Sequence, residues 1–439
     1  MSYHESIQYL YNLRKHGIKF GLENISRLSS ELGNPHKLFH TVHVGGTNGK
    51  GSTSAIVASI LQAAGFNVGL FTSPHLISFT ERIRINGAEI TERDVAGLAE
   101  EVREVASHID DFSPTFFEVV TAMALLYFSR GKIDIAVMEV GMGGRLDATN
   151  IISPDVCVIT QISYDHMEFL GKTLKEIAQE KAGIIKKGIP VVSAHQEPEA
   201  MNVIETMAKG NDAELYAYGS EFTSAPGSED TSGIHFDYHD SHMRIDDLYL
   251  PLAGVHQMQN ASVAIKAVSL ISKPITHRII KEGLKITKWS GRLEFIHDDP
   301  PILIDGAHNP AAAAVLSQAL QNIFLKTYKR IILILGIMGD KDIPGILKPL
   351  LSLASESILT QPPYSRAAAP ETLARIAKSM GFSDVHTAHT VKDALVMGMK
   401  NARNFQLGSA LIVVTGSFYT IGEAKEVLGQ TGMLTTLRE

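Results

Sequence analysis

One stretch limits what this chain can become: Val42-His43-Val44-Gly45-Gly46-Thr47-Asn48-Gly49-Lys50-Gly51-Ser52-Thr53. It starts as a short apolar strand, turns into a glycine-rich loop, and runs on into Ser54-Ala55-Ile56-Val57-Ala58-Ser59-Ile60-Leu61, whose composition and spacing predict a helix. Strand, glycine loop and helix start together make an anion cradle. Glycines let backbone N–H groups come close to a phosphate, and the helix dipole adds partial positive charge. Lys50 is placed to neutralise β- and γ-phosphates, and a following hydroxyl to reach Mg²⁺. The strict Walker pattern is not kept. Val44 stands where its first glycine belongs and Gly51 where its Ser/Thr belongs, so the hydroxyls come later, at Ser52 and Thr53.

Around this loop the chain alternates strand and helix. Amphipathic helical sequence fills 1–40, with a second helix starting near Gly21. Further strands are expected at Asn67–Phe71, Ile133–Met138, Asp155–Ile159 and Ile189–Ser193, and helices over 91–108, 115–130 and 173–186. Such alternation predicts a parallel sheet with right-handed crossovers, and the nearly all-apolar Ile133–Met138 suits a central strand buried on both faces. Residues 213–250, rich in Gly, Ser, Asp, His and Tyr, read as antiparallel hairpins at a sheet edge. Helices near 256–272 and 275–286 precede a hinge at Lys288-Trp289-Ser290-Gly291-Arg292. A second α/β unit then restarts with strands at Pro301–Asp305, Arg330–Leu335, Ser357–Thr360 and Ala410–Val414. At 439 residues two or three domains are expected.

Composition removes several function classes. A net charge of −7 argues against wrapping nucleic acid, so phosphate binding must be local. The single cysteine, Cys157, lies in an apolar run and excludes a disulfide framework or cysteine metal cage. The N-terminus lacks the basic-then-apolar order of a signal peptide, and no apolar run nears the ~20 residues needed to cross a bilayer. A soluble cytoplasmic protein with no membrane partner is expected.

In a parallel α/β sheet, ligands bind beyond the carboxyl ends of the strands. Those ends carry the glycine loop, Ser73, Glu139, Asp165 and His166, and in the second unit Asp305 and His308. Glu139 and Ser73 offer the hard oxygens Mg²⁺ prefers; His166 is a less usual ligand for it.

The sequence resembles the folylpolyglutamate synthase/dihydrofolate synthase family of the Mur-ligase-like superfamily. The resemblance is carried in order by Gly46–Ser52, Thr72–Leu76, Glu81–Ile83, Glu139–Asn150, Asp165-His166, Glu180–Ile184, Gly291–Glu294, Asp305–Pro310, Asp340–Asp342 and Thr415–Tyr419. The family's own phosphate loop carries a glycine after the lysine. The resemblance implies an ATP-binding, Mur-ligase-like P-loop domain over 1–290, with a mainly parallel sheet and a small antiparallel edge sheet. A Rossmann-like α/β ligase domain over 291–439 would follow. Asn48, Gly49, Lys50, Gly51, Ser52 and Thr53 would hold ATP phosphates, and Asn260, Arg292 and Asp305 would contact the nucleotide. Ser73, Glu139 and His166 look like the family's Mg²⁺ ligands. Lys181 is similar to a lysine carbamylated in the family, and His308 would face the reaction centre. Thr115, Phe116, Phe117, Glu118, Leu146, Asp147 and Ala148 look like a dihydropteroate pocket, with the Phe rings packing on a pterin and Asp147 accepting its N–H groups.

The implied reaction is ATP-dependent amide formation. A substrate carboxylate attacks the γ-phosphate to give an acyl phosphate and ADP, and the amine of L-glutamate then displaces phosphate. Dihydropteroate and reduced folate are both candidate acceptors. His75 and Gly144-Arg145-Leu146-Asp147 look more like bifunctional members of the family than like those confined to polyglutamylation, so both activities are expected. A Mur-type ligase acting on a nucleotide-linked peptide fits less well, because the loop begins only at Gly45 and leaves no room for a UDP-binding domain. A phosphate-loop switch ATPase is the rival from another class. Family members are commonly monomeric.

Overall fold

The computed structural model describes residues 1–13, 17, 21–271, 275–405 and 408–429. Parts of the helical stretch expected at 1–40 (14–16 and 18–20) and the end of the helix expected at 256–272 lie outside them. The first sheet contains β1 (His40–Gly45), β2 (Val68–Phe71), β3 (Ile83–Ile85), β4 (Ala88–Glu89), β5 (Ile135–Glu139), β6 (Val156–Ile159), β7 (Val191–Ser193) and β8 (Leu215–Ala217). Their spatial order is β4-β3-β2-β5-β1-β6-β7-β8. The run β2-β5-β1-β6-β7-β8 is parallel throughout, while β3 pairs antiparallel with β2 and β4 antiparallel with β3 at the edge.

Alternation along the strands divides the core. Ile135 and Val137 of β5, with Val42 and Val44 of β1, pack beneath the helices Lys50–Ala63 and Val255–Ser269. Ala136 and Met138 of β5 face the opposite way, onto the helices Tyr3–Asn12, Glu92–Ser107 and Phe116–Arg130. Both faces of β5 are covered, which is why its sequence shows no polar alternation.

The residues expected to hairpin do so, as β9 (Phe222–Asp230), β10 (Gly233–Asp240) and β11 (Arg244–Leu250). They form a separate three-stranded sheet rather than extending the first. Its apolar face (Phe222, Phe236, Tyr238, Leu248) packs into the core that holds the helix Val255–Ser269. The last sheet contains β12 (Glu294–Asp298), β13 (Pro301–Ile304), β14 (Arg330–Leu335), β15 (Glu356–Leu359), β16 (Val385–Thr387) and β17 (Ala410–Thr415), in the order β12-β13-β17-β14-β15-β16. All its pairs are parallel except the β12–β13 hairpin.

Several boundaries differ from the sequence reading. The loop helix begins at Lys50, not Ser54, because Gly49 (φ +89°) turns the chain directly into it. Lys50-Gly51-Ser52-Thr53 thus form its first turn, polar enough to hide the helical period. The helix expected over 173–186 stops at Ala182, ahead of Gly183. The helix Pro198–Gly210 and the short strands β3, β4, β12 and β16 had not been expected. Edge strands such as β12, Glu-Phe-Ile-His-Asp, carry too little apolar sequence to announce themselves.

Candidate active site

Register brings the strand ends level. Val44 pairs with Glu139, Gly45 with Ile159, and Phe71 with Met138. The segments that leave these strands (the glycine loop, Thr72-Ser73, Glu139 and Thr160–His166) therefore form one rim. Thr47 and Asn48 donate their backbone N–H groups to the Gln161 carbonyl at 2.9 and 3.1 Å, which ties loop to rim. Lys50 folds over the loop, its Nζ 3.3 Å from the carbonyls of Gly46 and Thr47. The hydroxyls of Ser52, Thr53 and Ser54 are buried at this helix start and have no hydrogen-bond partner among the described residues. Buried polar groups are normally satisfied, and Ser52 and Thr53, next to Lys50 in the first turn, suit an oxygen-rich ligand, whereas Ser54 points away from Ser52 on the helix.

The departure at residue 51 has a physical cause. A Cβ on Gly51 would lie 2.7 Å from Cζ2 of Trp289, whose indole rests on the first turn of the loop helix. Asn260 approaches from the helix Val255–Ser269: a Cβ on Gly49 would collide with its Oδ1. Its amide donates to Gln257 Oε1 at 3.0 Å.

Glu139 is buried and accepts the Ser73 N–H at 3.0 Å. Burial raises its pKa to about 7, against the opposing pull of Lys50, the Ser73 N–H, Arg292 and Arg82. Lys181 is buried and donates to the Gly46 carbonyl at 2.8 Å. Burial first, and then the charge of Lys50, lowers it to about 7. His166 sits in the left-handed region (φ +50°) with its side chain 39 % exposed at the rim. Desolvation of its inner side, with Lys341, Lys181 and Lys50 nearby, lowers its pKa to about 4 despite Asp165, so the ring is a neutral lone-pair donor at pH 7. Among the described residues no cluster of three His, Cys, Asp or Glu is set to hold a metal ion unaided. The oxygens of Ser73 and Glu139 and the neutral imidazole of His166 are donors whose chemistry suits a cation that shares its shell with phosphate, and in that sense they fit Mg²⁺.

The second half closes the site from above. Arg292 lies over the Phe418 ring at 4.9 Å and donates to the Gly291 carbonyl at 3.0 Å. Burial lowers its pKa, while Asp305 and Glu139 oppose the shift. Asp305 orders its own loop, accepting the N–H groups of Leu293 at 3.1 Å and Ala307 at 2.9 Å. His308 Nδ1 bonds the Gly306 carbonyl at 2.8 Å and its Nε2 faces Asp165 at 3.5 Å. A cavity of about 140 Å³ separates the halves, lined by Gly51, Ser73, Glu139, Trp289, Arg292 and Phe418 among others. A wider depression of about 470 Å³ lies at the opposite, amino ends of β2 and β5. Its polar groups bond one another, as Asp134 does with the Asn67 N–H at 2.6 Å, so we place the chemistry in the smaller cavity.

The residues read as a pterin pocket fall beside this rim but do unequal jobs. Thr115 and Glu118 form a capping box that starts the helix Phe116–Arg130. Asp147 accepts from the Met142 N–H at 2.9 Å and from the Thr149 N–H and hydroxyl, bracing the 141–150 loop. Phe117 packs on Phe71, centroids 5.8 Å apart, and would touch any side chain on Gly141. Phe116 lies against Tyr11 at 5.6 Å and beneath the Arg82 guanidinium at 5.4 Å. Leu146 is half-buried and Ala148 buried. Trp289, Asn309 and Lys341 were not assigned to the site from sequence; for the last two, a place on the loops after β13 and β14 was the available signal, while Trp289 lies between the helix His277–Lys285 and β12 and offered none.

A phosphate loop, a strand-end carboxylate and a second α/β unit bearing an arginine over them define an ATP-dependent ligase of the Mur type. Residues 44–268 match the Mur ligase middle domain, and 291–418 the Mur ligase glutamate ligase domain. The chain is 33% identical over 435 residues to a dihydrofolate synthase/folylpolyglutamate synthase of Bacillus subtilis, covering 97% of this chain and 99% of that one. It superposes on a Mycobacterium tuberculosis folylpolyglutamate synthase complexed with ADP with a TM-score of 0.92 and 33% identity, over 98% of this chain and 100% of that one. An Escherichia coli relative in complex with DHPP and ADP gives 0.87 at 32% identity, over 98% of both chains. The chain belongs to the dihydrofolate synthase/folylpolyglutamate synthase family.

Proposed function

We propose that this protein joins L-glutamate to dihydropteroate and to reduced folyl(poly)glutamates, using ATP. The observation that carries the reading is the cavity in which Trp289 and Arg292 face Gly51, Ser73 and Glu139, with Phe117 packed on Phe71 of the neighbouring strand. The E. coli relative that holds DHPP together with ADP supports dihydropteroate as an acceptor. Bifunctionality is favoured over polyglutamylation alone by the Gly144–Asp147 segment and His75, the latter held by Arg82 Nε at 2.8 Å behind Phe116.

Phosphoryl transfer needs positioning and charge neutralisation more than covalent chemistry. Asn48, Gly49, Lys50, Gly51, Ser52 and Thr53 bind the phosphates, with Lys50 and Arg292 neutralising charge on the transferring group, and Asn260 and Asp305 flank the nucleotide. Ser73, Glu139 and His166 would hold Mg²⁺, which supplies charge neutralisation when bound. The acceptor enters along Phe116, Phe117, Leu146 and Ala148, on a backbone held by Thr115, Glu118 and Asp147. Its carboxylate attacks the γ-phosphorus, ADP leaves, and the glutamate amine displaces phosphate from the acyl carbon. His308 borders this centre, with its Nε2 turned to Asp165. Closure of the second half keeps water away from the acyl phosphate. Burial lowers the Lys181 amine to about 7, which makes available the neutral form that adds carbon dioxide and supports its carbamylation. The division at 290/291, a monomer and a cytoplasmic location complete the proposal; no helix among the described residues is long and apolar enough to cross a membrane.

The test is ADP release with Mg²⁺-ATP and L-glutamate, given 7,8-dihydropteroate in one reaction and tetrahydrofolate in another. Stimulation by both is expected. Stimulation by tetrahydrofolate alone would restrict the enzyme to polyglutamylation, and by neither would refute the reading.

A further inference from the structure

We propose that Asp165 is the anchor on which the second half of the chain closes over the phosphate loop, and that Lys341 and Asn309 are the positioning residues that grip it. Asp165 follows β6 in the first sheet, and its side chain is 6 % exposed. Three groups from beyond the hinge converge on this one carboxylate. Lys341 Nζ lies 2.6 Å from Oδ1, while Asn309 Nδ2 and His308 Nε2 lie 3.4 and 3.5 Å from Oδ2. Lys341 comes from the Asp340-Lys341-Asp342 turn after β14, and its side chain is 11 % exposed.

The grip extends to the phosphate loop itself. Asn309 Nδ2 also donates to Asn48 Oδ1 at 2.9 Å. On the other side, Asn48 donates to the Ser163 hydroxyl at 3.1 Å, and Thr47 and Ser163 exchange two bonds of 3.1 Å. Asp165 Oδ1 in turn accepts the His166 N–H at 2.9 Å. Residues 47–48 and 163–166 thus behave as one body, and a pull on Asp165 is a pull on the loop that holds ATP. A nearly buried carboxylate stripped of its cation is costly, so separation of the halves must rehydrate Asp165 and Lys341 together. That makes closure a two-state event rather than a continuous drift.

This inference rests on the ligase reading for its catalytic consequence. A loosened anchor admits water, whose oxygen attacks the acyl carbon and expels phosphate without an amide being made. Asp165→Asn, Lys341→Met and the double variant, as full-length proteins, are compared by small-angle X-ray scattering with Mg²⁺-ATP and by phosphate released per amide formed. Each single variant is expected to have a larger radius of gyration than wild type and a phosphate-to-amide ratio raised on the order of 10-fold. The double variant should match the singles, since all lack the same bond, and Lys341→Arg should restore coupling. A merely structural ion pair would lower melting temperature while leaving the ratio unchanged, and that result overturns the proposal. So do multiplicative effects in the double variant. Should Asp165→Asn not fold, Lys341→Met with its Arg control decides alone. If wild type makes no amide with either acceptor, the ligase reading falls while the scattering comparison still judges the anchor.

Discussion

Gly51→Ala puts the steric account of the phosphate loop at risk, because two effects of opposite sign compete at this residue. Gly51 is in the first turn of a helix and has an ordinary helical backbone. On propensity alone, alanine there should stabilise by ~1 kcal/mol. The new methyl, however, would stand 2.7, 3.0 and 3.1 Å from Cζ2, Cε2 and Nε1 of Trp289, where carbon contacts settle at ~3.5–4.0 Å. Trp289 must therefore retreat by about 1 Å, and overpacking of this kind costs ~1–3 kcal/mol. If the displacement is felt in the closed, nucleotide-bound state, the KM for ATP rises roughly 5- to 150-fold. Trp289 is the only tryptophan in the chain, so its emission reports the displacement directly. We expect a red-shifted maximum in Gly51→Ala, and partial recovery of the KM in Gly51→Ala/Trp289→Leu relative to the sum of the two single changes. An unchanged emission maximum with an unchanged or lower KM would refute the reasoning and leave Gly51 without a steric explanation.

Other outcomes follow from the same geometry. Lys50→Met should cut ADP release by at least ~100-fold with circular dichroism unchanged, as expected for loss of a charge aimed at the transferring phosphate; a smaller loss would move the phosphate site. Phe117→Ala should destabilise by ~3 kcal/mol through lost packing on Phe71, read as a lower denaturation midpoint. Phe116→Ala should act mainly on the KM for the pterin acceptor, and an unaltered KM would remove it from the pocket. Lys266→Met strips the partner, 3.2 Å away, from the almost wholly buried Asp240, and should cost ~3–5 kcal/mol. Burial alone would raise Asp240, but the N–H groups of His242 and Met243, the Tyr238 hydroxyl and Lys266 hold its folded pKa below 3.8. A depressed folded pKa contributes stability above the unfolded value and loses it as pH falls through the folded one. Wild type should thus weaken below about pH 4 more steeply than Lys266→Met, when chemical denaturation is followed against pH.

What the sequence disclosed, and what it withheld, divides along physical lines. Period and strand-end chemistry are local, so β1, β5 and β6 and the polar groups after them were readable. The start of the loop helix at Lys50 was not, because its first turn is polar and depends on the backbone angle of one glycine. The Thr115-x-x-Glu118 spacing is itself a helix-start signature, and the backbone bonds of the capping box account for both residues before any ligand is considered. Hardest to read were contacts between distant segments: the indole over Gly51, the amide of Asn260 against Gly49, the lysine on Asp165. Each depends on how two packed bodies meet, and no spacing along the chain encodes that.

The bond between Asn48 and Asn309 spans 261 residues of sequence, and this separation has a consequence for synthesis. At ~5–20 residues per second, the phosphate loop emerges roughly 13–50 s before the asparagine that braces it has been made. For nearly all of that interval the nascent chain carries a loop and lysine that can meet cellular nucleotide but lacks Arg292 and Asp305, and Lys341 follows only after Asn309. Nucleotide captured so early would find a half-built enzyme able to hold phosphate but not to direct it, so productive turnover begins only once the last sheet has folded.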